Sequence, residues 1–239
     1  VSARDNLKAA LQAVTDAMKS PLENRKRFER EMERRLGDAW AGQRDTLMKL
    51  LGDPPNLSNV PESYWINGGK AIRKAVTGVF ESIYIMQAEE LARQARLVVD
   101  WQLVNKKAIE WAGQHAGELI KNWEHTNRET LVDYIQKYYT QDWTIDDLAD
   151  RLSILFGERR AMTIAITETT QAAVQSQIET ARELSNLYGV QFQEIWRASV
   201  YERVCDVCNS KDGKPTSEVG YPPEHINCAC YVEYEVLKV

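Results

Sequence analysis

Apolar residues recur every three or four positions along most of this chain, the period of helices with one buried face. Leu7, Leu11, Val14 and Met18 give residues 3–19 such a face. Ser20-Pro21-Leu22-Glu23 marks a fresh start: serine as N-cap, proline at the first helical position, glutamate three after the cap. The helix that follows carries Phe28, Met32, Leu36, Trp40, Leu47 and Leu50 and is predicted to reach Leu51, where Gly52-Asp53-Pro54-Pro55 ends it. Residues 1–51 therefore read as a helical N-terminal arm that packs on neighbours and makes few contacts with its own chain. Residues 52–67, with three prolines and several Asn and Ser, read as a loop.

The next stripe, Ile72, Val76, Val79, Phe80, Ile83, Met86 and Leu91, predicts a buried helix from Lys70 to Ala95. Val98-Val99-Asp100-Trp101 reads as an extended link, and Asn105 as the cap of a helix running to Tyr139 with a break near His125-Thr126-Asn127. Thr144-Ile145-Asp146-Asp147 is another start signal, for a helix ending at Gly157 as its C′ residue. Residues 158–188 read as one helix stopped by Gly189, closing a helical body over 68–189. Within it, Thr167 and Glu168 are expected to hydrogen-bond the tail, with Arg203 the candidate partner. His115 and His125 have no cysteine neighbours and read as packing or surface residues.

After Gly189 the period drops to two. Val190, Phe192, Glu194, Trp196 and Ala198 alternate, and so does Tyr231–Val236, which predicts two paired strands in a β-hairpin tail over 190–239.

Composition narrows the classes. The chain has 239 residues with 44% hydrophobic and 27% charged content, ordinary for a globular protein. No apolar run approaches the ~18 residues of a membrane span. A net charge of −5 argues against a general DNA binder. Arg25, Lys26, Arg27, Arg30, Arg34 and Arg35 cluster, but Glu23, Glu29, Glu31 and Glu33 are interleaved, so a solvated face of i,i+4 pairs is the preferred reading. The chain starts at Val1, so a processed, trimmed or fragmentary chain is expected. Asn67-Gly68-Gly69-Lys70 hints at a phosphate loop and fails, because Tyr64 stands where the first glycine belongs and Ala71 follows the lysine.

The candidate chemistry lies between the two strands. Cys205 and Cys208 form C-x2-C; after sixteen intervening residues His225, Cys228 and Cys230 form H-x2-C-x-C. Two chelating pairs across a loop suit a structural zinc ion, with Cys205, Cys208, His225 and Cys228 as first choice and Cys230 as substitute. Free thiols and disulfides are the alternatives; the absence of a signal-peptide pattern and of cysteine elsewhere disfavours disulfides. The fold class is thus mainly α, an elongated helical body with a small C-terminal zinc-stapled β-hairpin unit.

The same stretch resembles the C-terminal signature of the phage Mu F-like head morphogenesis proteins. Trp196, Glu202, Arg203, Cys205, Cys208, Asp212, Gly213, Pro222, Pro223, His225, Asn227, Cys228 and Cys230 carry it, with Glu202 and Arg203 adjacent where the family has a residue between them. Trp143–Arg151 and Ile166-Thr167-Glu168-Thr169 also match, with Ile166 where an Arg is common. The resemblance runs from about residue 98 to 232. It implies a non-enzymatic minor head protein at the portal vertex, acting in head morphogenesis and genome packaging or ejection. It implies portal and other head proteins as partners, contact with packaged double-stranded DNA, homo-oligomers and a place in the virion head interior after assembly in the host cytoplasm.

Two other classes compete. An HNH-like metal-dependent nuclease needs a general base and a separate catalytic metal, and His225 is wanted for the structural ion. A zinc-tail nucleic-acid adaptor needs a basic surface, yet the tail has Arg197, Arg203, Lys211, Lys214 and Lys238 against Glu202, Asp206, Asp212, Glu218, Glu224, Glu233 and Glu235.

Overall fold

The computed structural model describes residues 21–97, 101–199 and 204–238, with side chains set aside at 21–23, 101–103, 105 and 238. Helix α1 spans Pro21–Trp40 and α2 Gln43–Leu51. The long α3 covers Glu62–Gln94 and α4 Trp101–Thr140. Helix α5 is Ile145–Ser153 and α6 Glu158–Tyr188. Strand β1, Gln191–Arg197, pairs antiparallel with β2, Tyr231–Lys238, in a two-stranded sheet. Short helices α7, Asp206–Lys211, and α8, Thr216–Val219, lie between them.

The helical body with strands in the tail matches the reading of the pattern. One expectation is corrected. Residues 21–51 are not an arm standing off the chain: Phe28, Met32, Leu36 and Trp40, one turn apart on α1, are all buried, and α1 packs on α3 and α6. An amphipathic stripe states that a face is buried, not against what, and here the chain buries it itself. Residues 1–20, with Leu7 and Leu11, lie outside the described residues. Gly42, at φ 74°, divides α1 from α2 where one continuous helix was expected.

Other boundaries move for local reasons. Residues 62–67, expected in a loop, form the first turns of α3, because Tyr64 and Trp65 are buried on its inner face. Gly68 and Gly69 lie inside this helix, not in a phosphate loop. They let α3 approach α4: a Cβ on Gly68 would sit 2.7 Å from the Trp123 ring, and one on Gly69 2.9 Å from Ile120. Asn105 does not cap α4, which already runs from Trp101; Val104 packs against the core one turn before Ala108 and extends the apolar stripe backwards. The expected link at 98–100 falls outside the described residues.

Helix α4 also passes unbroken through His125-Thr126-Asn127. Asn127 is 1% exposed, and its side-chain oxygen accepts from Arg160 instead of competing for backbone. The same guanidinium donates to the Leu155 carbonyl at 2.9 Å and lies over the Trp40 ring. Thr144 and Asp147 form the expected capping box. Gly157 is not a left-handed C′ residue. A 3₁₀ turn over Ile154–Phe156 carries Leu155 into the same core as Leu152, and Gly157, at φ −88°, caps the start of α6. Gly189 does stop α6 in the left-handed conformation, φ 70°.

The basic cluster on α1 is laced as its interleaved acids imply, with Arg25–Glu29 at 2.6 Å, Arg34–Asp38 at 2.7 Å and Arg35–Glu31 at 2.6 Å. No helix among the described residues is long and apolar enough to cross a membrane.

Candidate metal centre

The hairpin positions the site. Pairing sets Trp196 opposite Val232 and Phe192 opposite Val236. Val190, Val232 and Tyr234 bury against Leu91 of α3 and Val174, Ala181 and Leu184 of α6. The far end of the hairpin carries a second small core of Trp196, Cys208, Cys228 and Cys230. Trp196 is fully buried, and Lys211 stands over its ring. Its backbone N–H donates to the Lys214 carbonyl at 2.8 Å and its carbonyl accepts from Gly213 at 2.9 Å. The Asp212 carboxylate accepts from the Ala198 N–H at 2.9 Å. The segment after the C-x2-C pair is therefore pinned to β1.

Cys205 sits at the N-cap of α7 in an extended conformation, and its sulfur accepts from the Cys208 N–H at 3.4 Å. That turn aims both sulfurs the same way. The Nε2 atom of His225 lies 3.3 Å from Cys205 Sγ and 3.3 Å from Cys208 Sγ. Cys208 Sγ lies 3.8 Å from Cys228 Sγ. Two groups capable of holding a metal result, Cys205 with Cys208 and His225, and Cys208 with Cys228 and Cys230; Cys208 belongs to both.

The three distances are close to those between donors sharing one ion, with Cys228 joined to Cys205 and His225 only through Cys208. Metal–sulfur bonds of about 2.3 Å and metal–nitrogen bonds near 2.0 Å place ligand atoms roughly 3.8 Å apart for two sulfurs and roughly 3.5 Å for sulfur and nitrogen. The histidine is oriented for it. Its Nδ1 lies 2.8 Å from the Ile226 carbonyl, which can only accept, so Nδ1 carries the proton and the Nε2 lone pair of the neutral ring faces the sulfurs. That carbonyl also favours the charged ring and raises the His225 pKa.

The thiols are differentiated. The Cys208 backbone N–H holds Cys205 below the usual thiol range. A hydrogen bond from the Cys230 thiol holds Cys228 down to about 5 against the effect of burial. Burial pushes Cys208 up to about 12. The contact with Cys228 raises Cys230, as does burial. The contact between Cys228 and Cys230 lowers the one and raises the other, so Cys228 is the more acidic of the pair.

Two ties fix this knuckle to the body. The Asn227 N–H donates to the Thr167 hydroxyl at 2.9 Å, so α6 does bond the tail, as expected of Thr167. Glu168 turns the other way, its carboxylate 3.0 Å from Nε2 of buried His115, which stacks on Trp111. Arg203 lies outside the described residues. The second tie is Arg25 of α1, whose guanidinium donates to the Ala229 carbonyl between the two buried cysteines. Nothing in the local pattern around Arg25 or His115 signals these contacts. His125 is exposed and pairs with Glu129.

The structural class is a helical body closed by a two-stranded hairpin that carries a Cys/His cluster able to hold a metal. The family is then specific: the model for Phage Mu protein F like proteins matches residues 111–233, about half the chain and all of the knuckle, and the chain belongs to that family. Membership points to phage head morphogenesis. Searches of curated proteins and of solved structures found no match.

Proposed function

We propose that this chain is a non-enzymatic minor head protein that acts at the portal vertex in head morphogenesis and in genome packaging or ejection. Its partners are the portal and other head proteins, with packaged double-stranded DNA nearby and contacts between copies of the chain. It belongs in the head interior of the virion, after assembly in the host cytoplasm. Cys205, Cys208, His225 and Cys228 hold one structural zinc ion, with Cys230 supporting Cys228 from behind.

The family match carries this reading, because the matched stretch contains the cluster and α6, which bonds it through Thr167. The zinc assignment is supported by the sulfur-rich donor set, a combination that favours zinc over oxygen-seeking cations. The ion's contribution is structural. The segment from Asn209 to Tyr221 is mostly polar and has little apolar surface of its own to bury.

Co-expression with the portal protein of the same phage tests the assembly role. A complex that survives size exclusion supports it, and a chain that never associates with portal rings or head shells counts against it. Incubation with DNA and Mg²⁺ or Mn²⁺ tests the nuclease alternative, where metal-dependent cleavage abolished by His225→Ala would replace the structural reading.

A further inference from the structure

Consecutive residues of the tail, 230–234, line one wall of a cavity of about 350 Å³ beside the knuckle. Side chains alternate along a strand, so a run without gaps means that β2 turns its backbone edge, not a face, to this space. That edge is open. The Trp196 N–H and carbonyl are taken by Lys214 and Gly213, on the side of β1 away from β2. Trp196 stands opposite Val232, so that pair exchanges no ladder bonds, and by alternation neither does Glu194 with Tyr234. The N–H and C=O groups of Val232 and Tyr234 therefore point away from β1, and no described residue bonds them there.

Helices α1, α3 and α6 form the other walls, with Phe28, Ile83, Met86, Leu91, Ala173 and Val174 as their apolar part. The charged groups of the rim are already partnered: Arg25 with Glu29 and the Ala229 carbonyl, Glu90 with Arg93 and Gln94, and Glu233 with Arg197. The polar groups left over are uncharged. Thr170 is 1% exposed and its hydroxyl has no partner. The amides of buried Gln87 and half-buried Gln177 also line the cavity and make no hydrogen bond among the described residues. Buried groups of this kind call for partners. An open strand edge, an apolar wall and uncharged donors and acceptors together match an extended, uncharged stretch of polypeptide. The size agrees. A cavity of about 150 Å³ takes one benzene ring, so this one takes about two side chains of that size. A strand paired with Val232 and Tyr234 offers two on one face, about 7 Å apart.

We propose that this groove binds an extended segment of a different protein, which adds as a third strand to the edge of β2 and places two alternate apolar side chains in the cavity. Among the described residues, a second copy of this chain has no strand to spare, because β1 and β2 are paired with each other and the other regular elements are helical.

The test uses the full chain and a capped seven-residue peptide of alternating leucine and threonine, with amide exchange read by NMR. The peptide should bind saturably with a Kd of about 1 mM or tighter. At saturation it should slow exchange of the Val232 and Tyr234 amides about tenfold or more. N-methylation of one alternate set of peptide residues should weaken binding about tenfold, while methylation of the other set, facing away from β2, should not. Ala173→Trp, which fills the cavity from α6, should abolish binding with helical content unchanged. No saturable binding, an equal response to the two methylated peptides, or slowing confined to other amides overturns the proposal. So does protection of Val232 and Tyr234 in the chain without peptide: if it grows with protein concentration the occupant is a second copy, and if it does not the occupant is a segment of the same chain.

Discussion

The backbone N–H of Asn227 donates to the hydroxyl of Thr167 at 2.9 Å, a direct bond between the middle of α6 and the turn that presents Cys228. Asn227 holds a left-handed φ of 65°, which asparagine tolerates better than most residues. Thr167→Val keeps the shape and removes the acceptor; the bond it also removes, to the Thr163 carbonyl, spans one turn inside α6 where that carbonyl keeps its helical partner. We expect a loss of about 0.5–1 kcal/mol, the net worth of one such bond. That is a fall in Tm of about 1–4 °C for a chain of this size, read by thermal unfolding. A Tm equal to the parent protein would show that the bond adds nothing.

Asn127 offers a sharper test inside the body. Its side-chain oxygen accepts from Arg160, whose guanidinium is largely buried, so that desolvation lowers its pKa. Asn127→Ala removes a partner from a buried cation and leaves the Leu155 carbonyl to hold it. The expected cost is about 2 kcal/mol, measured as a lower urea midpoint with an unchanged slope.

Two helical glycines should respond in opposite senses. Gly37 in α1 has nothing within 4 Å of where a Cβ would stand, so Gly37→Ala should stabilise by about 0.5–1 kcal/mol through helix propensity alone. Gly68 in α3 has the buried Trp123 ring 2.7 Å from that point. There the clash outweighs propensity, and Gly68→Ala should destabilise by about 1–3 kcal/mol. Denaturant titration of the pair reads both signs; a stabilising Gly68→Ala would mean that α3 and α4 are free to separate.

What the sequence shows of this molecule follows the range of the interactions. The capping box of Thr144 and Asp147, the stop at Gly189 and the alternation of the two strands are written within a few neighbouring residues, and each is legible in the pattern. The five Cys/His positions stand out because chelation demands fixed spacing, and the fold gathers them into two groups of three that share Cys208. The packing of α1 is not legible, because Phe28 and Trp40 announce only that they are buried. The clasp from Arg25 to the Ala229 carbonyl joins positions 204 residues apart, and a backbone acceptor leaves no trace in residue identity. Asn127 misleads for the same reason: a polar residue that ends a helix when its side chain turns to its own backbone continues it when a distant arginine takes the bond.

The ligand set divides by variant. Cys208 belongs to both metal-capable groups, so Cys208→Ala should abolish binding of one equivalent of zinc. The contact with Cys230 lowers Cys228, so Cys230→Ala should retain the stoichiometry and bind more weakly. Mass spectrometry under native conditions reads both, and a Cys208→Ala protein that still carries one zinc would remove Cys208 from the set.

Acid should release the metal, and the shifts of its ligands set the order. Cys228 is held down to about 5, below the ordinary thiol value near 8.5. A depressed group contributes stability that is present above its unfolded pKa and lost as pH falls through its folded one. The His225 pKa is raised, so its ring is protonated, and its Nε2 lone pair consumed, earlier on the way down than in a free histidine. The two shifts oppose each other, the raised His225 hastening acid release and the depressed Cys228 delaying it, but protonation of either ligand expels the ion, so zinc is held at neutral pH and lost on acidification, His225 failing before Cys228. Loading should show the reverse proton flow. Burial leaves Cys208 protonated at neutral pH, with its pKa pushed up to about 12, so zinc must expel that proton, and a weakly buffered solution should acidify on titration. A chromophoric chelator followed against pH, with circular dichroism in parallel, should show zinc release and loss of the tail signal together while the helical signal persists. Zinc retained unchanged down to about pH 4, or bound with no proton release, would show that these side chains are not its ligands.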